Sequence, residues 1–164
     1  MKQNRISKDK YFIEIAKLVA QRSTCLSRKV GCVLVDSNSN ILATGYNGPP
    51  RGQGHCFSCI RKETNDIHKC RAVHAEQNAL LQCADISKIH RAYITDSPCN
   101  TCMKMFLNTN IEEIIYINEY HNETEYLKSQ YNFTIKLRRY IDEKDNVTVN
   151  AACYSGACNI SRNV

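Results

Sequence analysis

"RAVHAEQNALL", residues 71–81, sets His74 two positions ahead of Glu76 at the head of a helical run, and "SPCNTC" follows at 97–102. Positions i and i+2 lie roughly 200° apart on a regular helix. His74 and Glu76 can therefore reach one point only if His74 sits at or before the first helical residue, where the backbone is not yet helical. Gln77, Leu80, Leu81 and Ala84 carry the helix onward. Cys99 and Cys102 stand three apart and share a face on a helix. Pro98 suits a helix start, where the dipole and the unpaired N–H groups favour thiolate. His74, Cys99 and Cys102 thus make a nitrogen–sulfur–sulfur set for tetrahedral zinc, with a fourth position open to water. Two thiolates and a neutral imidazole cancel the charge of Zn²⁺. Water at such a metal is acidified less than at an all-histidine site, so a nearby base is needed, and Glu76 is the candidate. Glu76 need not be a ligand.

Around this stretch the pattern alternates between helix and strand. Residues 8–22 read as a helix with Phe12, Ile15, Ala16 and Val19 on one face and Ser7 as cap. "VGCVLVD" (30–36) and "ILATGY" (41–46) are apolar runs joined by "SNSN", a hairpin signal. Gly, Pro, Cys and His dominate 48–70, which reads as a loop insertion. Helices follow near 74–84, 99–108 and 121–130, the last with Asn122 and Glu125 at capping-box spacing. Strands are expected at 91–95, 112–118 and 133–138. The sum is a three-layer α/β domain with a mixed sheet that opens on a hairpin. Residues 1–140 form the domain, and 141–164 are a polar, weakly patterned tail.

The bulk properties bound the function. A chain of 164 residues is enough for one domain with a core. A hydrophobic content of 43% with a mean hydropathy of −0.45 fits a globular protein. No apolar run approaches the roughly 20 residues of a membrane span. The basic "MKQNRISKDKYF" lacks a signal-peptide core, so the expectation is a cytoplasmic protein. Twenty-two basic against 16 acidic residues give a net charge of +6. That suits an anionic ligand, but no dense basic tract suggests a nucleic-acid groove. Ten cysteines without a signal peptide point to metal ligation rather than disulfides. Cys25, Cys32 and Cys83 stand alone and read as small core residues.

The H-x-E and P-C-x-x-C pattern resembles that of the zinc-dependent nucleoside and nucleotide deaminases. Further stretches resemble the deoxycytidylate deaminase branch of that family: "RSTCLSRKVGCVLV" (22–35), "ILATGYNGPPRG" (41–52), "HC" (55–56), "CRAVHAEQNAL" (70–80) and "SPCNTC" (97–102). The resemblance implies a cytidine-deaminase-like α/β/α fold with a mixed five-stranded sheet. It implies hydrolysis of dCMP to dUMP and ammonia, which supplies dUMP for thymidylate synthesis. Glu76 is then the proton carrier between water, N3 of the ring and the departing amino group. Asn47 in "GYNG" resembles the asparagine that contacts the nucleoside. The Ala75 backbone is expected at the base edge, and Tyr120 near the base. The "GYNG" region also implies control by dCTP and dTTP, with Mg²⁺ accompanying a triphosphate effector, and a homo-oligomer is expected.

A monophosphate substrate needs a cationic or N–H-rich cradle. Ser23, Arg28 and Lys29 are the nominees. In the insertion, Cys56, Cys59, His68 and Cys70 have structural-zinc character, with His55 as an alternative to His68. A loop so poor in apolar residues needs a staple. Two other functions share parts of the pattern. A tRNA adenosine deaminase or another nucleobase deaminase has the same zinc motif, but "GYNGPPRG" and the Cys/His insertion favour a free nucleotide, and no basic tract serves tRNA. A non-catalytic, nucleotide-sensing zinc protein is the second alternative, and the presence of Glu76 counts against it.

Overall fold

The computed structural model describes residues 5–119, 129 and 134–142. The expected helix over 121–130, Tyr120, and the tail beyond 142 with Cys153 and Cys158 lie outside the described residues. Five strands form one mixed sheet: β1 (Gly31–Val35), β2 (Ile41–Tyr46), β3 (Arg91–Asp96), β4 (Glu113–Asn118) and β5 (Lys136–Arg139). Their order is β2-β1-β3-β4-β5. β1 pairs antiparallel with both β2 and β3, whereas β3–β4 and β4–β5 are parallel. The expected hairpin and mixed five-stranded sheet are therefore present. β5 begins three residues later than the expected 133.

β1 is buried along its whole length, as expected of an inner strand covered on both faces. Its side chains alternate between two cores. Cys32 and Leu34, with Ala92, Ile94 and Ile114, pack against α3 (Ala75–Gln82) and α4 (Asn100–Phe106). Val33 and Val35, with Tyr93 and Ile115, pack against α1 (Lys8–Ala20). The period of two across neighbouring strands makes the three layers.

α1 starts where expected: the Ser7 hydroxyl oxygen accepts from the Lys10 N–H at 3.2 Å. Its buried stripe is Phe12, Ile13, Ala16 and Ala20. Ile15 and Val19, expected at its centre, are only partly buried at its margin. The helix is rotated so that Ala16 and Ala20 meet β1 at Gly31, where a Cβ would lie 2.6 Å from the Ala20 nitrogen. Small residues on both sides permit that approach.

The 48–70 insertion is not all loop. It holds a short helix, α2 (Ile60–Thr64), which ends at Asn65 in the left-handed region (φ 51°), and a 3₁₀ turn at Ile67–Lys69. Gly48 and Val73 close its neck through two backbone hydrogen bonds of 3.1 and 2.9 Å.

Antiparallel pairing sets the start of β1 beside the ends of β2 and β3. Arg28, Asn47 and Asp96 are thus brought to one end of the strands, at the carboxyl ends of β2 and β3, the side on which open α/β sheets place their ligands. The starts of α3 and α4 reach the same end.

Candidate metal centre and cleft

His74 is the N-cap of α3, with extended backbone (φ −72°, ψ 158°). This is the non-helical position that its spacing from Glu76 requires. The Gln77 side-chain oxygen accepts from the His74 N–H at 2.9 Å and fixes the entry into the helix. Cys99 is the N-cap of α4, and Cys102 is buried in its first turn. The two thiols meet through cap geometry rather than as two members of one helix face. His74 Nδ1 lies 3.5 Å from Cys99 Sγ and 3.4 Å from Cys102 Sγ. The three ligand atoms lie within 4.8 Å of one another, and among the described residues no other His, Cys, Asp or Glu group of three does so.

Proton sharing in this cluster tests whether a cation fits. A hydrogen bond from Cys102 holds the Cys99 thiol down at about 4, helped by the His74 ring. The same bond, together with burial, pushes the Cys102 thiol up. A half-buried thiol and a buried one in contact cannot both ionise without a compensating charge. A divalent cation supplies that charge and displaces the shared proton, so the donor set fits zinc.

Glu76, the second residue of α3, is 4% exposed. Burial is the chief cause of its raised proton affinity, opposed by backbone hydrogen bonding and by the His74 ring. It lines one cleft with His74, Ala75, Cys99, Asn47 and Arg28.

Asn47 is 8% exposed and its amide is richly bonded. Its Oδ1 accepts from the Ser23 hydroxyl at 2.7 Å and from the Val30 N–H at 2.8 Å, and its Nδ2 donates to the Arg28 carbonyl at 2.9 Å. Ser23, nominated for phosphate, is a buried tie beneath Asn47 and does not line the cleft. Its hydroxyl oxygen also accepts from the Cys25 N–H at 3.2 Å. Lys29 is exposed and does not line the cleft either. Arg28 does, with its guanidinium 4.0 Å from Asp96.

The insertion's expected ligand set is not gathered. Cys56 and Cys59 are half-buried, while His55, His68 and Cys70 are exposed. All eight described cysteines are free. Cys59 and Cys70 instead border the cleft, joined by Cys25, a residue expected in the core. The cleft also takes in Asp96, Ser97 and Arg61. Asp96 and Ser97 had a signal in the sequence, since they join a strand end to Pro98 and Cys99. Arg61 had none.

Comparison with known proteins gives a consistent picture. The family model for the cytidine and deoxycytidylate deaminase zinc-binding region matches residues 6–118. A deoxycytidylate deaminase of Saccharomyces cerevisiae is 36% identical over 143 residues, 83% of this chain. The chain spans about half the length of that relative (46%). A deoxycytidylate deaminase of Mycobacterium phage D29 is 38% identical over 122 residues, covering 68% of this chain and 94% of its own. Among solved structures, the dCMP deaminase of the cyanophage S-TIM5 in complex with dCMP and dUMP is similar at 28% identity with a TM-score of 0.69. That likeness covers 84% of this chain and all of the other. Among the described residues, no helix is long and apolar enough to cross a membrane.

Proposed function

The chain belongs to the cytidine and deoxycytidylate deaminase family, and from that premise we propose that it hydrolyses dCMP to dUMP and ammonia at a zinc centre held by His74, Cys99 and Cys102. The observation that carries this reading is the buried carboxyl of Glu76 in one cleft with that nitrogen–sulfur–sulfur cluster. A zinc ion bound there supplies Lewis-acid activation of water. Glu76 takes a proton from the attacking water and delivers it to N3 of the ring, while the water oxygen bonds to C4. It then takes the hydroxyl proton and passes it to the amino nitrogen. The C4–N bond breaks, ammonia leaves, and C4 keeps the oxygen as a carbonyl.

Asn47 holds the segment from Arg28 to Val30 in place and presents its amide at the cleft wall. Arg28 faces the same space with the cationic character a 5′-phosphate requires. The Ala75 backbone, which lines the cleft beside His74, meets the base edge in this reading.

The test is absorbance-monitored turnover on dCMP, CMP, dCTP, deoxycytidine and an adenosine-bearing tRNA hairpin. The reading expects dCMP to be the best substrate; adenosine turnover in the hairpin alone would replace it with the tRNA-deaminase alternative.

The reading extends to residues 1–140 as the catalytic domain and to a second, structural zinc, which would have to draw Cys56, Cys59, His68 and Cys70 together from the separate positions they hold here. Elemental analysis showing one zinc per chain, lost on Cys99→Ser, would remove that second metal. A homo-oligomer, control by dCTP and dTTP with Mg²⁺, and a cytoplasmic location complete it. Sedimentation and turnover with and without each triphosphate test the assembly and the control.

A further inference from the structure

The cleft holds a second buried carboxyl that the proposed reaction does not use. Asp96 ends β3, and its side chain is 10% exposed. It lines the cleft three residues ahead of Cys99. Asn118 hydrogen-bonds its side chain, and the Arg28 guanidinium stands 4.0 Å away. A carboxylate has about four lone-pair sites on its two oxygens, so these neighbours do not exhaust its capacity to accept. A carboxyl kept in such a place costs stability unless donors meet it.

The direction of the pyrimidine ring decides which substrate atom reaches Asp96. N3 and C5 are the two ring atoms bonded to C4, and they lie on opposite sides of it. The proposed reaction sets C4 at the centre held by His74, Cys99 and Cys102, and N3 at Glu76 in the first turn of α3. C5 therefore points away from Glu76. The centre joins the start of α3 to the start of α4. The wall across from α3 is thus the turn from β3 into α4, where Asp96 and Ser97 line the cleft.

We infer that Asp96 reads the 5-position of the pyrimidine and fits the site to a deoxycytidylate carrying a hydrogen-bond donor there, of which 5-hydroxymethyl-dCMP is the simplest. The inference rests on the dCMP reading above and adds a substrate class to it. The hydroxymethyl O–H donates to the Asp96 carboxylate. A 5-methyl group in the same place covers the carboxylate and offers it no donor, and a site built to bond a hydroxyl rejects the analogue that lacks it. The chemistry at C4 is unchanged: water adds, ammonia leaves, and the product is 5-hydroxymethyl-dUMP.

The experiment measures kcat/KM for dCMP, 5-methyl-dCMP and 5-hydroxymethyl-dCMP on the zinc-loaded wild type, Asp96→Leu and Asp96→Asn. The deciding figure is the ratio of the hydroxymethyl to the methyl substrate. The two differ by a single oxygen, so changes in folding, zinc content or phosphate binding cancel from it. The wild type should favour the hydroxymethyl substrate by roughly tenfold to a hundredfold, the scale of a hydrogen bond to a charged group. Asp96→Leu should bring the ratio to one or below. Asp96→Asn keeps the shape and one acceptor oxygen, and its ratio should fall between. Three outcomes overturn the inference and leave the deaminase reading intact: a wild-type ratio near one, turnover of dCMP but of neither 5-substituted substrate, or a ratio that Asp96→Leu does not change. In the last case Asp96 only ties β3 to β4 through Asn118. If Asp96→Leu does not fold, the wild-type ratio and its fall in Asp96→Asn decide. A wild type that turns over none of the three substrates overturns the deaminase reading and the inference together.

Discussion

The Asn47 side chain donates from Nδ2 to the backbone carbonyl of Arg28 at 2.9 Å. With Oδ1 it also accepts from the Val30 N–H at 2.8 Å and from the Ser23 hydroxyl at 2.7 Å. One amide thus replaces the backbone partners that the segment before β1 lacks. Because Arg28 and Asn47 both line the cleft, the bond ties a cationic wall to the end of β2.

Replacing Asn47 with Ala leaves part-buried backbone groups of Arg28 and Val30 without these side-chain bonds. The cost should be about 1–3 kcal/mol of stability, read from urea unfolding. KM for dCMP should rise as Arg28 loses its anchor. An unchanged unfolding midpoint would mean that water replaces both bonds, and the anchoring argument would fall.

Glu76→Gln separates proton transfer from metal binding. Zinc content should stay at the wild-type level, since no ligand is removed, and turnover should fall by at least roughly 10²–10⁴-fold. His74→Ala should lower zinc and turnover together. Loss of zinc from Glu76→Gln would make Glu76 a ligand; near-normal turnover would sink the mechanism.

Gly45→Ala probes how closely α3 approaches the sheet. A Cβ on Gly45 would collide with the Ala75 carbonyl oxygen and lie 2.9 Å from Ala79 Cα. These are backbone atoms and cannot turn aside, so overpacking should cost about 1–3 kcal/mol. α3 carries Glu76 and is entered from His74. Its displacement should reduce kcat as well as the thermal midpoint. A destabilised variant with unchanged kcat would show that α3 moves without dragging the centre.

Glu113 predicts a pH dependence away from the cleft. Burial acts to raise its carboxyl, yet the Arg138 guanidinium at 2.9 Å, Lys136 and Arg91 hold it below the usual carboxylate range. A depressed folded-state value means that stability is present above the unfolded value and lost as pH falls through the folded one. The wild type should therefore have a higher thermal midpoint than Glu113→Gln near neutrality. The gap should close as the pH drops below about 4, the ordinary carboxylate range. A gap independent of pH would assign the effect to packing.

Local spacing made the centre legible before any tertiary contact was known. The His74–Glu76 interval demands a helix boundary, and the boundary is there. Cys99 and Cys102 flank a helix start, and Ser7 caps α1. "VGCVLVD" and "ILATGY" read as a hairpin, and β1 and β2 pair as one. Each of these follows from backbone geometry over a turn of helix or a few strand residues, which sequence order itself carries.

What lay beyond one turn was decided by the fold. Ser23 and Lys29 stand in the same segment as Arg28, yet only Arg28 lines the cleft, because the bonds to Asn47 set how that segment turns. Ile13 displaced Ile15 from the centre of α1's buried face, because close contact at Gly31 sets the helix rotation. The insertion's cysteines and histidines were grouped by spacing, but its neck at Gly48 and Val73 and its helix α2 brought Cys59, Cys70 and Arg61 to the cleft. Residue types and short intervals specify which chemistry is available. Strand order and the close approach of helices to glycines specify which of those groups share a space, and those are properties of contacts between residues far apart in the chain.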